Sequence, residues 1–224
     1  MRAVLFLICL TLISCGRPLT PTETAFAADL TGDTLDTAKI RIHRDAPLAV
    51  TTRQRETRPR LTCRERIIPE PTTDTVTVSA AAVVFQNRMH FAPNWSTDDY
   101  MRDYPQRMNL VAAMLFGHEL IHVWQWQNRD VTGYTPWRAA REHGGMDDPY
   151  LFDLETKTPF LDYAYEQQAS IVEEYICCAV LDPQAPRTGR MRRLIAQAIP
   201  IDTLPRPNDI LLPWDEAPIN GICR

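Results

Sequence analysis

Apolar and polar residues follow a helical period in two long stretches of the chain. The first runs from about Pro105 to Gln127. The second, "DYAYEQQASIVEEYICCAVL", spans Asp162 to Leu181 and carries Ala164, Ile171, Val172, Tyr175, Ala179 and Val180 as its apolar positions. Shorter helices are expected at both ends. Thr20-Pro21-Thr22-Glu23 reads as a capping box with proline at the first helical position, starting a helix that runs through Ala28 and stops near Gly32-Asp33. A basic helix is expected from about Gly189 to Ala198, and Ser96 is expected to cap a short helix with an acidic start. "KIRIH" (Lys39 to His43) alternates like a half-buried strand, while "TVTVSAAAVVF" (Thr75 to Phe85), the turn "QNR" and "MHFAP" read as a hairpin.

The remainder lacks either period. Residues 44–74 hold Arg53, Arg55, Arg58, Arg60, Arg64 and Arg66 among threonines and prolines, which predicts a solvated, locally basic loop. Glycines and prolines between Asn128 and Phe160 predict mostly loop, with one short strand at "YLFDL". The proline-rich segment 201–224 is expected to wrap the surface, pinned by Cys223. These elements predict an α+β fold in which two principal packed helices are joined by a small β-hairpin or sheet and long irregular loops.

Composition narrows the function. The chain has 224 residues, 45% hydrophobic and 23% charged, with a formal net charge of -4. That suits one ordinary globular domain and gives no basic excess that would point to nucleic acid. Eighteen prolines against eight glycines agree with long stiff connections. The opening "MRAVLFLICLTLISC" places an apolar run behind one arginine, too short to span a bilayer but suited to an export signal. Its end, Leu12-Ile13-Ser14-Cys15-Gly16, resembles the lipobox of bacterial lipoproteins, which implies cleavage before Cys15 and lipidation of it. The expected organisation is a signal peptide over 1–15, a tether over 16–19, a catalytic domain over 20–200 and the tail over 201–224. Location follows as exported, periplasm-facing or at the outer membrane of a Gram-negative bacterium, held to a membrane surface by the acyl chains. Cys63, Cys177, Cys178 and Cys223 are then expected as disulfides. Adjacent cysteines rarely bond each other, so Cys177 and Cys178 would each take Cys63 or Cys223, in either order.

The chemistry lies in "GHELIHVWQ", Gly117 to Gln125. Residues four apart share a helix face, so His118 and His122 can reach one metal ion at about 2.0–2.1 Å. Glu119 sits about 100° round the helix, placed to act on a water as general base without binding the ion. The neighbours Leu115, Phe116, Leu120, Ile121 and Val123 are apolar, and burying the polar trio with nothing to bind would be costly. A zinc site of catalytic type needs a third protein ligand and an open position. The extended spacing with glycine at 125 and histidine at 128 is absent, because Gln125 and Asn128 stand there. The second helix therefore supplies the ligand: Glu166 is favoured, with Glu173 as a partner of a zinc-bound histidine or as the alternative ligand. Glu174 is expected on a solvated face, and His90 and His143 as ordinary histidines.

In order, "GRPLTPTETAFAADLTGDTLDTAKIRIHRDAP", "MHFAPN", "LFGHELIHVWQWQ" and "YEQQASIVEEY" resemble the metallopeptidase-like core domain of extracellular contractile injection systems and the short proteobacterial proteins called Vgr-related. The resemblance spans roughly residues 16 to 180. It implies a zincin-like fold, one zinc ion, His118 and His122 as ligands, Glu119 as catalytic acid and base, and Glu166 as third ligand in the gluzincin manner. The sequence departs from that pattern at Asn87-Arg88, where a glycine turn is expected, and in its export signal. The reading implied is a zinc metallopeptidase acting on a peptide or protein. "MHFAP" would align an extended substrate by strand addition, and Tyr134, Tyr163, Tyr165 and His143 are the oxyanion candidates. Its rival is a non-catalytic, zinc-stabilised binding or assembly lipoprotein associated with secretion or the cell envelope.

Overall fold

In the computed structural model, residues 16–46, 51–145 and 148–224 are described, and the signal segment with Cys15 lies outside them. Helix α1 (Pro21–Thr31) begins at Thr20, whose hydroxyl accepts from Glu23 N while the Glu23 carboxylate accepts from Thr20 N. It ends at Gly32, whose φ of 58° is open to a residue without Cβ. Arg17 makes a two-pronged ion pair with buried Glu23 at 2.7 and 2.8 Å and exchanges backbone hydrogen bonds with Ile42. Residues 16–19, expected as a tether, are therefore tied down on the domain from Arg17 onward.

Strand β1 (Arg41–His43) leads to the arginine-rich segment. It is not a featureless loop, because β2 (Thr52–Glu56) and a single helical turn, α2 (Cys63–Arg66), form within it. The partner of β2 is β3 (Thr75–Ser79), joined to it as an antiparallel ribbon. The expected hairpin thus divides. Its first half leaves with β2, and the true hairpin is β4 (Ala82–Phe85) with β5 (Arg88–Phe91). The turn uses Gln86 at φ 58°, a left-handed conformation taken here by a non-glycine residue. In the three-stranded sheet the order is β1, β5, β4, with β1 and β5 parallel.

No α-helix follows Ser96. The chain turns instead through residues 98–106 into β6 (Arg107–Asn109), and Asn109 caps helix α3 (Leu110–Gln127) by accepting from Ala112 N. The segment expected as mostly loop with a strand holds no strand among its described residues and contains two helices, α4 (Arg129–Thr132) and α5 (Pro136–Gly145). Helix α6 (Tyr165–Leu181) is followed by α7 (Pro186–Ile195), and in the tail β7 (Asp209–Leu211) pairs parallel to β6. The architecture is α+β. Among the described residues no helix is long and apolar enough to cross a membrane.

Helix α3 is buried nearly all round, which is why its apolar residues do not form one narrow stripe. It crosses α6 at Gly117, where a Cβ would stand 2.3 Å from Ile176 Cδ1 and 3.6 Å from Leu30 Cδ2. Glycine there lets α1, α3 and α6 meet. Phe26, Leu30, Phe116, Leu120, Ile171 and Ile176 are fully buried around this crossing, each contributing about 1.5–3 kcal/mol of burial. Disulfides Cys63–Cys177 and Cys178–Cys223 tie α2 and the tail to adjacent positions of α6. Of the two pairings left open by the sequence, this is the one formed.

Candidate metal centre

His118, His122 and Gln125 lie along one stripe of α3, and Glu166 and Glu173 face them from α6. Glu166 sits in the first turn of its helix, where a carboxylate is favoured by the dipole. Helix α5 fixes that turn, because the Glu142 carboxylate accepts from Tyr165 N at 2.7 Å and Arg138 stacks 5.0 Å over the Tyr165 ring.

Three side chains converge. His118 Nε2 is 3.1 Å from Glu166 Oε2, His122 Nε2 is 3.4 Å from Glu166 Oε1, and the two Nε2 atoms are 3.2 Å apart. Each imidazole is committed at its other nitrogen. His118 Nδ1 faces Glu173 Oε2 at 3.2 Å, and His122 Nδ1 faces Gln125 Oε1 at 2.9 Å. The Gln125 amide is oriented in turn, since its Nε2 donates to Tyr165 O at 3.0 Å and to Gln168 Oε1 at 3.1 Å. With both Nδ1 atoms donating, both neutral rings turn lone pairs toward one another and toward a carboxylate.

Such a cluster can be satisfied by a cation or by protons. Ligands at 2.0–2.1 Å in tetrahedral directions stand about 3.3 Å apart, and the three observed separations, which use both Glu166 oxygens, lie near that value. The residues present therefore fit a zinc ion, with His118, His122 and Glu166 as the ligand set. In the metal-free protein protons take that role. Burial alone would lower His118, but Glu166 and Glu173 outweigh it and hold the ring at about 10. His122 is likewise raised, against its burial, by Glu166.

Glu173 lies on the far side of His118 from Glu166. Burial would raise its carboxyl, yet Arg64 at 3.0 Å and His118 hold it below the usual range. Arg64 comes from α2, which the Cys63–Cys177 disulfide fastens beside it. Glu119 is buried, its carboxyl pushed up by burial against the pull of His118 and His122, and among the described residues it makes no hydrogen bond. Its carboxylate borders a cleft of roughly 700 Å³ that also exposes the His118, His122 and Glu166 edges.

Several expectations change. Glu174 is not solvated: it is 3% exposed, accepts from Cys63 N at 2.7 Å and pairs with Arg187 at 3.1 Å. "MHFAP" holds the central strand β5, hydrogen-bonded to β1 and β4, so it cannot accept another strand. The open edge belongs to β4, which borders the cleft, whereas Arg17 covers β1. Of the tyrosines, Tyr134 and Tyr165 border the cleft. The Tyr163 hydroxyl is engaged by Asp153 O at 2.7 Å, and the Tyr165 hydroxyl points to Thr132 O at 3.4 Å. The His143 side chain lies outside the described residues, and His90 pairs with Asp45 at 2.9 Å beside His43, apart from this group. Sequence reasoning passed over Tyr150, whose ring lies 5.9 Å from that of His118 beneath the Arg58 guanidinium. It also passed over Gln125 as the partner of His122, although their three-residue spacing on a helix was the available signal.

No protein-family model matches the chain. Over 161 residues, 71% of the chain, it is 27% identical to the type VI secretion system spike protein VgrG2b of Pseudomonas aeruginosa, and it spans 13% of that protein's length. Among solved structures, the effector domain of Pseudomonas aeruginosa VgrG2b aligns with 81% of the chain and 82% of its own, at a TM-score of 0.49 and 24% identity. By sequence the chain is similar to a short part of a secretion-system spike protein.

Proposed function

We propose that the chain is an exported zinc metallopeptidase with a zincin-like fold, in which His118, His122 and Glu166 hold one zinc ion and Glu119 is the general base. The observation that carries this reading is the convergence of three lone-pair donors, His118 and Glu166 buried and His122 half-buried, whose histidines are each fixed at the second nitrogen. A zinc ion bound there supplies Lewis acidity toward a peptide carbonyl and toward water. The protein's own groups supply the rest. Glu173 and Gln125 hold the two rings in one tautomer, a role whose loss typically weakens a metal site 10–100-fold. Glu119, one residue from a ligand and exposed to the cleft, takes the proton of the attacking water and passes it to the leaving amine. Tyr150 and Tyr134 border the cleft as donors for the carbonyl oxygen, and the open edge of β4 offers backbone groups to an extended peptide.

Export and a lipid anchor at Cys15 belong to the same proposal, supported by two disulfides of the kind that persist in oxidising compartments. Similarity to part of a type VI spike protein supports work alongside a secretion system. The test is Glu119→Gln, with zinc content and cleavage of casein measured on the same samples. Zinc retained with cleavage lost is the expected result, and cleavage unchanged by the substitution rejects the role of Glu119. If wild type also fails to cleave while holding stoichiometric zinc, the non-catalytic binding or assembly role replaces the peptidase.

A further inference from the structure

Four arginines reach the metal cleft, and they are not equivalent. Arg58 grips Asp148 in a two-pronged ion pair, 2.5 Å from Nε and 2.7 Å from Nη2. Arg64 is bound to Glu173 at 3.0 Å and Glu65 at 3.3 Å. Arg53 and Arg55 make no direct ion pair among the described residues; the Asp148 and Glu65 carboxylates are felt at Arg55 without contacting it, and its guanidinium donates to the neighbouring Glu56 carbonyl at 2.7 Å.

Their placement follows from the strand period. In β2 the pairing Arg53↔Val78 and Arg55↔Val76 sets the faces, and alternate residues point to opposite sides. Thr51, Arg53 and Arg55 border the cleft, while Thr52, Gln54 and Glu56 fall on the other face. An ordinary solvated ribbon would turn its long charged side chains outward and shelter its neutral ones. Here both cations border the cleft, Arg53 exposed and Arg55 half-buried, and the one carboxylate falls on the opposite face. The Arg55 guanidinium is pushed down by burial and by the nearby Arg58 cation, and the Arg53 charge is felt at the Tyr150 hydroxyl inside the cleft. Planar guanidinium groups bordering a cleft match a carboxylate in shape and sign.

We propose that Arg53 and Arg55, on the cleft face of the β2–β3 ribbon, form a subsite for a carboxylate of a peptide bound along the metal cleft. The substrate class is therefore an acidic peptide, and this rests on the peptidase reading for the ligand being a peptide. The carboxylate comes either from an Asp or Glu side chain or from the peptide's own C-terminus.

Fluorescent dodecapeptides in three forms separate the possibilities: a central Glu-Glu with an amidated end, a central Gln-Gln with an amidated end, and Gln-Gln with a free C-terminus. Binding is read by anisotropy on zinc-loaded Glu119→Gln, alone and combined with Arg53→Gln/Arg55→Gln or with Arg53→Lys/Arg55→Lys, and wild type is assayed for cleavage of the same peptides. The subsite predicts that Glu-Glu, or the free C-terminus, binds about tenfold or more tightly than amidated Gln-Gln. That gain should vanish in the glutamine pair, persist in part in the lysine pair and weaken with salt, while the amidated Gln-Gln peptide binds all three alike. Whichever acidic peptide shows the gain identifies the source. Equal binding of all peptides, no binding of any, or a gain that survives Arg53→Gln/Arg55→Gln overturns the subsite. Arginine-dependent binding without cleavage by wild type would reject the peptidase and leave the subsite standing. Cleavage without acidic preference would do the reverse.

Discussion

Replacing Glu173 by glutamine tests the division of labour between the two glutamates of α6. The side chain keeps its shape but loses its charge. His118 Nδ1, 3.2 Å from Oε2, then donates to a neutral amide oxygen, and Arg64, 3.0 Å away, loses its ion-pair partner. A hydrogen bond to a charged acceptor contributes about 1.5–3 kcal/mol and a neutral one about 1, so the histidine gives up about 0.5–2 kcal/mol of basicity and orientation. At 1.4 kcal/mol per tenfold, zinc affinity should fall about 2- to 30-fold, with stoichiometry still one per chain. Glu166→Gln, which removes the negative charge and replaces one of the two oxygens 3.1 and 3.4 Å from the rings by an amide nitrogen, should lose far more. Competition against a chromophoric chelator at fixed pH measures both. Equal losses would make Glu173 a ligand, and unchanged affinity in Glu173→Gln would remove it from the site altogether.

Stability of the metal-free protein should depend on pH through His118. Its folded pKa, about 10, lies above the unfolded value of about 6.5, so this stabilisation is complete below the ordinary histidine range and is lost as pH rises toward 10. Thermal unfolding of chelated protein should show that fall, and zinc-loaded protein should not; a flat profile for both would contradict the assignment. Gln125→Leu should weaken zinc binding about 10–100-fold and, by leaving Gln168 Oε1 without its donor, cost about 1–3 kcal/mol in urea unfolding. Wild-type values for both would show that His122 needs no partner. Gly117→Val should overpack the crossing with Ile176 and destabilise by about 1–3 kcal/mol with loss of zinc, checked by calorimetry and metal analysis. Cys63→Ser/Cys177→Ser should cost about 2–5 kcal/mol and loosen Arg64 from Glu173, so zinc affinity should fall alongside the unfolding midpoint.

What the sequence made legible was local. The capping box at Thr20, the helical runs ending at Gln127 and Leu181, and the His-Glu-x-x-His spacing each depend on residues a few positions apart, and the elements appear where those patterns lie. The losses were long-range. Nothing in "TRQRE" announces a strand, because the ribbon forms only when Thr75–Ser79 arrives opposite it. Glu174 reads as surface until Cys63 N and Arg187 close over it, and β5 reads as an edge until β1 joins on its far side. Pairing Gln125 with His122 required only the helix spacing. Placing Tyr150 beside His118 required the path of residues 148–160, which no short-range rule supplies.

The central claim is that three side chains from two helices form the ligand set of one zinc ion. X-ray absorption at the zinc edge on purified protein tests it directly, with Glu166→Ala and Glu119→Gln measured beside wild type. The account predicts one zinc per chain with two imidazole ligands and oxygen at about 2.0–2.1 Å, an unchanged spectrum in Glu119→Gln, and loss of the bound ion in Glu166→Ala. Zinc bound equally in Glu166→Ala, or a spectrum showing sulfur or a single imidazole, would contradict it.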